Sequence, residues 1–342
     1  MKFQNVENIE ISTIHNNWKD NVFNIDINLG NYCNYKCWYC WPGSNTGTHK
    51  FPDLDLIKTN ITHLINYIKD NSNKTVFDIH FCGGEPSHWP KLIEFIKYLK
   101  ENFNCLISMT SNGSKKMDWW EKAIPFFDRI HLSCHHEFVE LKHFRTLCDY
   151  AYEKGVVPSA SVMMDPKAWK DCVSMAEYLK GSKHKWTIRY VEIIDKDVNY
   201  TDEQKDLLSK HRARKVSPLW FWWRNKYYIN KVTVTDFGGK KYRIQDNELL
   251  LKKRNNFYGW ECSVGIHWLN VNMDGQLGGT CQQTPYGELE KYNLYDPEFP
   301  VKFKPKFQAS VCQQYVCNCS PETNMPKINL RNNKKVIPIH AN

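Results

Sequence analysis

The sequence predicts an α/β protein: a parallel sheet crossed by helices, followed by a smaller and irregular C-terminal part rich in cysteine. Three observations carry this. Between Asn21 and Ile194, strand-like and helix-like runs alternate, as they do in parallel sheets with right-handed crossovers. Polar, glycine-bearing turns recur where the strand runs end, which is where α/β sheets and barrels collect ligands. After Asp195 the alternation stops, and beyond Trp260 five cysteines fall in a stretch with little periodicity.

Taken in order, NVFNIDINL is a β-rich run that ends at Gly30 and a loop reading NYCNYKCWYCWP. LDLIKTNITHLINYIKD places Leu54, Ile57, Ile61, Leu64, Ile65 and Ile68 on one helical face. VFDIHF is the second strand and ends at Gly83-Gly84; KLIEFIKYLKEN is helical; CLISMT is the third strand and ends at Ser111-Asn112-Gly113. MDWWEKAIPFF, RIHLSC, FVELKHFRTLCDYAYEKG, VPSASVMM, WKDCVSMAEYLKG and WTIRYVEII continue the rhythm to a sixth strand. TDEQKDLLSKHRARK then reads as a helix, and KVTVTDFGGKKYRIQ as a hairpin around Gly238-Gly239. NVNMDGQLGGTC reads as a tight hairpin turning at Asp274-Gly275. The expected division is 1–195 for the α/β unit, 196–259 for a basic connector, 260–326 for the cysteine-rich domain and 327–342 for a polar tail.

Composition narrows the function classes. A chain of 342 residues, 42% hydrophobic, can bury one main core and a smaller one. Its mean hydropathy is −0.61, no apolar run approaches about 18 residues, and the N-terminus lacks the apolar centre of a secretory signal. A cytoplasmic protein with no membrane partner is expected. Thirteen cysteines, an odd number in a chain without an export signal, point to metal more than to disulfides. Cys82, Cys105, Cys134, Cys148 and Cys172 stand singly in apolar or helical contexts and read as small buried hydrophobes. The net charge of +9 is most visible between Lys210 and Arg254. There a solvated basic face competes with an anionic or nucleic-acid partner. Within that block SPLWFWWRNKYYINK has the aromatic and basic content to stack on a nucleic acid, but packing against the α/β unit is favoured.

The loop after the first strand carries Cys33, Cys37 and Cys40 in the spacing C-x-x-x-C-x-x-C. Structural zinc takes four ligands and a disulfide two, whereas three thiolates hold three irons of a cubane and leave the fourth iron open. A zinc site completed by a distant ligand is the alternative. Tyr39 precedes the last cysteine. Gly83-Gly84-Glu85-Pro86 follows the second strand; its glycines permit close backbone approach and its carboxylate suits an ammonium group. Thr110-Ser111-Asn112-Gly113 follows the third strand, and Ser133 ends the fourth.

In this order, over about Asn21 to Ile194, these motifs resemble those of the radical S-adenosylmethionine (SAM) superfamily. The resemblance implies a partial (β/α)6 barrel with a [4Fe–4S] cluster on Cys33, Cys37 and Cys40, catalytic through the SAM that chelates its open iron. It also implies cofactor contacts from Tyr39, Gly83, Gly84, Glu85, Ser111, Asn112 and Ser133, with Glu85 meeting the amino end of the methionine moiety. Reductive cleavage would give a 5′-deoxyadenosyl radical that takes hydrogen from a substrate, with flavodoxin or ferredoxin as electron donor. Where the superfamily often continues Ser133 with Leu-Asp, this chain has Cys134-His135-His136-Glu137, which offers two imidazoles and a carboxylate as acid, base or anion contacts.

Cys262, Cys281, Cys312, Cys317 and Cys319, with the hairpin, resemble the "twitch" extension, a shortened relative of the SPASM domain that binds one auxiliary [4Fe–4S] cluster. Five candidates serve four places, and the ending C-x-x-x-x-C-x-C departs from the usual C-x-x-C; a zinc staple is the alternative. An auxiliary cluster suits oxidation or bond formation. The first strand begins near Val22, too early for a leader-binding module, so a small-molecule substrate or a delivered peptide is expected. The competing readings are a nucleotide- or RNA-modifying radical enzyme and a non-catalytic metal- or nucleic-acid-binding protein.

Overall fold

Strict alternation along the strands builds the main sheet. In the computed structural model, which describes residues 8–15, 20–193, 198–212, 232–244, 249, 252–278, 289–312, 315–317 and 325–330, the first strand β1 (Ile11–His15) stands apart from this sheet. β2 (Val22–Asn28), β3 (Val76–Cys82), β4 (Cys105–Ser111), β5 (Arg129–Cys134), β6 (Val157–Met163) and β7 (Thr187–Val191) lie side by side in chain order, every neighbouring pair parallel. These are the six strands expected. Phe23, Ile25 and Ile27, with Phe77, Ile79, Phe81, Ile107, Ile130, Leu132 and Val162, join the core packed against the helices.

The crossovers are α1 (Leu54–Asp70), α2 (Leu92–Asn102), α3 (Met117–Ala123), α4 (Leu141–Glu153) and α5 (Trp169–Lys180), and α6 (Asp202–Arg212) follows β7. α1 buries Leu54, Ile57, Ile61, Leu64, Ile65 and Ile68, the face read from its spacing. Asp53 caps it, Oδ1 accepting the Leu56 N–H at 2.9 Å.

The main sheet is larger than the six-strand expectation. β8 (Val232–Asp236) and β9 (Lys241–Ile244) form the hairpin read around Gly238-Gly239, and β10 (Trp260–Cys262) follows. β11 (Trp268–Val271) then enters the main sheet parallel to β2, with Leu269 opposite Ile25, and β12 (Leu277–Gly278) folds back on it antiparallel. The hairpin at Asp274-Gly275 is therefore real, but it extends the main sheet instead of lying in a separate 260–326 domain. Two strands cannot bury their own apolar face. Leu269, Val271 and Leu277 find burial in the main core, as do Leu289, Leu294, Phe299 and Phe303 farther on.

β13 (Ser310–Val311) and β14 (Lys327–Asn329) complete a second, six-stranded sheet in the order β13-β10-β14-β1-β8-β9. The expected boundaries are corrected here too. They assign Ile11–His15 to the α/β unit and Lys327 onward to a tail, yet β1 and β14 are neighbours in this sheet, Thr13 opposite Ile328. Strands of two to five residues hold too little periodicity to read locally, and both partners of β1 lie in the far half of the chain. Among the described residues, no helix is long and apolar enough to cross a membrane.

Candidate active site

The cysteine loop is folded by one buried side chain. Asn31 donates from Nδ2 to the Gly43 carbonyl (2.8 Å), Thr46 Oγ1 (2.8 Å) and Thr48 Oγ1 (2.9 Å), and its Oδ1 accepts the His49 N–H (2.7 Å). The loop thereby returns beside the end of β2 and presents Cys37 buried and Cys33 and Cys40 half-buried, all as free thiols.

Burial pushes the Cys33 thiol up, and burial pushes Cys37 up to about 12; repulsion from the neighbouring cysteines adds to both. Three sulfurs that repel one another as thiolates are stabilised together by a cationic core. Two N–H groups already aim at Cys33 Sγ, from the Tyr35 backbone (3.4 Å) and from Asn112 Nδ2 (3.8 Å), as suits a thiolate ligand. Among the described residues, no three His, Cys, Asp or Glu side chains converge where one metal ion would sit. A cubane takes each thiolate on a different iron and does not require such convergence. The donor set fits a cluster.

The turn after β3 packs directly on this loop. A Cβ on Gly84 would stand 2.1 Å from the Tyr32 carbonyl oxygen, and one on Gly83, at φ +116°, 2.6 Å from that of Gly30. Glycine is required at both positions. The Gly84 N–H donates to the Gly30 carbonyl at 3.1 Å, and the Glu85 N–H to the Tyr32 carbonyl at 2.6 Å.

Glu85 is 1% exposed, and the structure gives its carboxylate internal partners. Oε1 accepts from Ser87 N (3.1 Å), Ser87 Oγ (2.6 Å) and Ser111 Oγ (2.7 Å), and Oε2 accepts the Asn112 N–H (2.7 Å). Burial raises its pKa, and these bonds oppose the rise. The carboxylate expected to meet an ammonium group is thus a buried strut between the ends of β3 and β4, with only Oε2, which holds a single donor, open to another. Asn112 extends the strut to the loop: Nδ2 donates to Asn34 Oδ1 (2.9 Å) as well as toward Cys33. Ser133 is half-buried at the end of β5, opposite Ser161 of β6.

Tyr39, expected at the cofactor, packs on His135. Its ring stacks on His135 (5.8 Å between centroids, 14° between planes), and its hydroxyl lies 3.1 Å from His135 Nδ1. Burial, then the neighbouring His136, lowers the His135 pKa to about 4. His136 Nε2 is 3.8 Å from Asp165 Oδ2, which also accepts the Trp38 indole N–H (2.8 Å). The histidine pair braces the cysteine loop from behind; Glu137 is exposed.

Sequence reasoning missed the polar face of the main sheet. Its alternate positions carry Asn24, Asp26 and Asn28 on β2, Asp78 and His80 on β3, Ser108 and Thr110 on β4, and Arg129 and His131 on β5. His80 reaches Ser108 Oγ (2.9 Å) and Thr110 Oγ1 (3.0 Å), His131 reaches Ser159 Oγ (2.7 Å), and Arg129 pairs with Asp78. Burial lowers the His80 pKa to about 3, helped by Arg129. Parallel strands covered on both faces read as continuous apolar runs; alternation in NIDIN and DIHFC was the available signal. At the end of β2, between the cysteine loop and the β11–β12 hairpin, opens a cleft of about 590 Å³.

The other predicted ligands lie in the second sheet. Cys262 of β10 is opposite Ser310 of β13, and the N–H of Cys312, just past β13, donates to the Trp260 carbonyl (2.7 Å); the Cys262 side chain packs with Trp268 and Met325, and Cys312 with the apolar cluster that holds Cys317. Cys317 is held by Asn255 through two backbone contacts of 2.8 and 2.7 Å. Cys281, Cys319 and the SPLWFWWRNKYYINK block lie outside the described residues. Of the five single cysteines, Cys105, Cys134, Cys148 and Cys172 are buried as expected, while Cys82 points to the polar face and donates to Asn28 Oδ1 (3.1 Å).

Residues 27–157 match the family model described as the radical SAM superfamily. They form a radical SAM domain. Members of that superfamily are enzymes, and this chain carries their domain. The domain is similar to part of a probable GTP 3′,8-cyclase of Thermococcus kodakarensis, 28% identical over 120 residues, which are 33% of this chain and 35% of that relative. The match thus spans about a third of the curated relative's length. Among solved structures, the fold is similar to hexahistidine-tagged anSMEcpe with bound AdoMet (TM-score 0.50, 13% identity, 82% of this chain and 77% of that one). It is also similar to native anSMEcpe with bound AdoMet (TM-score 0.49, 15% identity, 82% and 81%).

Proposed function

We propose that this chain is a radical SAM enzyme that removes a hydrogen atom from a small-molecule or peptide substrate. The observation that carries the reading is the convergence at the strand ends. The three-cysteine loop after β2 is latched to the glycine turn after β3 and, through Glu85 and Asn112, to the turn after β4. The chemistry that the bound groups supply is one-electron cleavage of the SAM sulfonium to methionine and a 5′-deoxyadenosyl radical, which takes hydrogen from the substrate.

The chain's own residues prepare for it. Cys33, Cys37 and Cys40 would hold the [4Fe–4S] cluster, with the Tyr35 and Asn112 N–H groups bonding to the Cys33 sulfur. Gly83 and Gly84 bring backbone against the loop, and Glu85 keeps three segments in register. In this reading β2–β7 form the partial barrel, their polar face orients the substrate, and the helices on the opposite face exclude water.

Four of Cys262, Cys281, Cys312, Cys317 and Cys319 would hold a twitch-like auxiliary cluster, a reading supported by the β10–β13 pairing, which brings the backbone of Cys312 to that of Trp260, two residues from Cys262. It would accept the substrate's electron in an oxidation or bond formation. Flavodoxin or ferredoxin suits the electron-donor role. A nucleotide substrate is the second reading, favoured by the likeness to the probable GTP cyclase.

Anaerobic reconstitution tests the proposal. About eight irons per chain are expected, falling to about four when Cys33, Cys37 and Cys40 are all replaced by Ala. The wild type should form 5′-deoxyadenosine and methionine from SAM under reduction, and the triple variant none. Recovery of zinc in place of iron would overturn the reading.

A further inference from the structure

The cleft between the cysteine loop and the β11–β12 hairpin has a chemistry unlike the rest of this basic chain. Its volume, about 590 Å³, suits a small ligand. The wall on the hairpin side is built of amides, Asn28, Asn270, Asn272 and Gln276, with the carboxylates of Asp274 and Glu290. Among the described lining residues there is no Lys or Arg. In sequence, the stretch 268–290, to which the lining residues Asn270 to Gly278 and Glu290 belong, contains neither residue, although the chain's 46 Lys and Arg would place about three in a segment of that length.

The amides are also fixed in advance. The Cys82 thiol donates to Asn28 Oδ1 (3.1 Å), Asn28 Nδ2 to Asn270 Oδ1 (2.9 Å) and the Val271 carbonyl (3.0 Å), and Asn270 Nδ2 to Asn272 Oδ1 (2.8 Å). Each bond sets the orientation of the next amide, and the row ends on the cleft wall at Asn272. The row begins on the polar face of β3 and β2, so cleft and polar face are continuous.

We infer that this cleft receives the substrate, and that the substrate is a polar molecule without phosphate, neutral or carrying an amine, held by amide hydrogen bonds. The inference rests on the radical SAM reading and sharpens it against the nucleotide alternative. A phosphate brought here would stand beside two carboxylates, Asp274 and Glu290, with no Lys or Arg among the described lining residues to compensate. An ammonium group would gain from those carboxylates, and hydroxyls or amides would pair with the Asn and Gln side chains. Arg129 does not alter this, being paired with Asp78.

Saturation-transfer NMR on the anaerobically reconstituted full chain tests the inference with tyramine, tyrosol and tyrosol phosphate, which share one scaffold and differ in ammonium, hydroxyl and phosphate. Tyramine should give the strongest transfer, tyrosol less, and the phosphate at least about fivefold less than tyramine. Asp274→Asn with Glu290→Gln should bring tyramine down to the level of tyrosol, and Asn272→Leu should weaken tyrosol. The inference is overturned by strongest transfer to the phosphate, by no transfer to tyramine, by an order unchanged in the double variant, or by GTP displacing tyramine. Deoxyadenosine formation from SAM in the same preparations separates the two failures. If it is absent, the radical SAM reading falls; if it is normal and the probe order reversed, only this inference does.

Discussion

The two sheets of this protein solve the same burial problem in opposite ways. From β2 to β7 of the main sheet, consecutive strands are neighbours, and each motif sits at the end of its own strand, so the site is a row of local features placed side by side. In the second sheet, the central strand β1 takes both its neighbours from the far half of the chain. β1 lies between β14 and β8, and the two cysteine-bearing segments meet through β10 and β13. Chemistry at the first is therefore written in continuous motifs, while chemistry at the second depends on strands finding distant partners.

The sharpest break of this comparison separates the two cysteine groups. Loss of the loop cysteines should abolish deoxyadenosine formation. If the proposed auxiliary cluster is present, replacing Cys262 and Cys312 with Ala should remove its iron and the oxidised product while leaving SAM cleavage within about twofold of wild type, because the two cysteine groups stand on different sheets. Chromatography of both products, once a substrate is in hand, checks this; equal loss of both would join the sites functionally.

A smaller effect tests whether the second sheet depends on its distant pairings. Ile14 of β1 is 1% exposed within that sheet's core. Ile14→Ala should cost about 2–5 kcal/mol. Hydrogen exchange should quicken in β8 and β14 while β3 and β4 stay protected. Uniform loss of protection would show the sheets to be one cooperative unit.

Acid should probe the polar face of the main sheet. His80 is held neutral when folded, its pKa lowered to about 3, so only the unfolded chain takes up its proton as the pH falls from the ordinary 6.5. Stability from this group is complete above about pH 6.5 and lost progressively toward pH 3, on the order of 2–4 kcal/mol. Denaturation of His80→Gln against wild type across that range should show a shallower acid slope in the variant. Smallest of all, Asp53→Ala removes the cap of α1 and should lower stability by about 1 kcal/mol in thermal unfolding, without changing iron content.

The residues themselves show how far local reading reaches. Leu54, Ile57, Ile61, Leu64, Ile65 and Ile68 are all buried on α1, because a helix presents its 3.6-residue period whatever it packs against. Gly83 and Gly84 stand where backbone presses on backbone, a need that only glycine meets. The six strands, their crossovers and the cysteine loop were legible for such reasons. The sequence by itself therefore determined the six central strands of the main sheet and the order of motifs along their ends, since periodicity, turn chemistry and ligand spacing act within a few residues.

Tertiary structure decided what each side chain faces. Glu85 is engaged by Ser111 and Asn112, 26 and 27 residues away. Tyr39 turns to His135, 96 residues on. β11 joins β2, and Ile11–His15 joins Lys327–Asn329. Burial and hydrogen-bond partners are properties of the space around a residue, and that space is filled by segments remote in the chain.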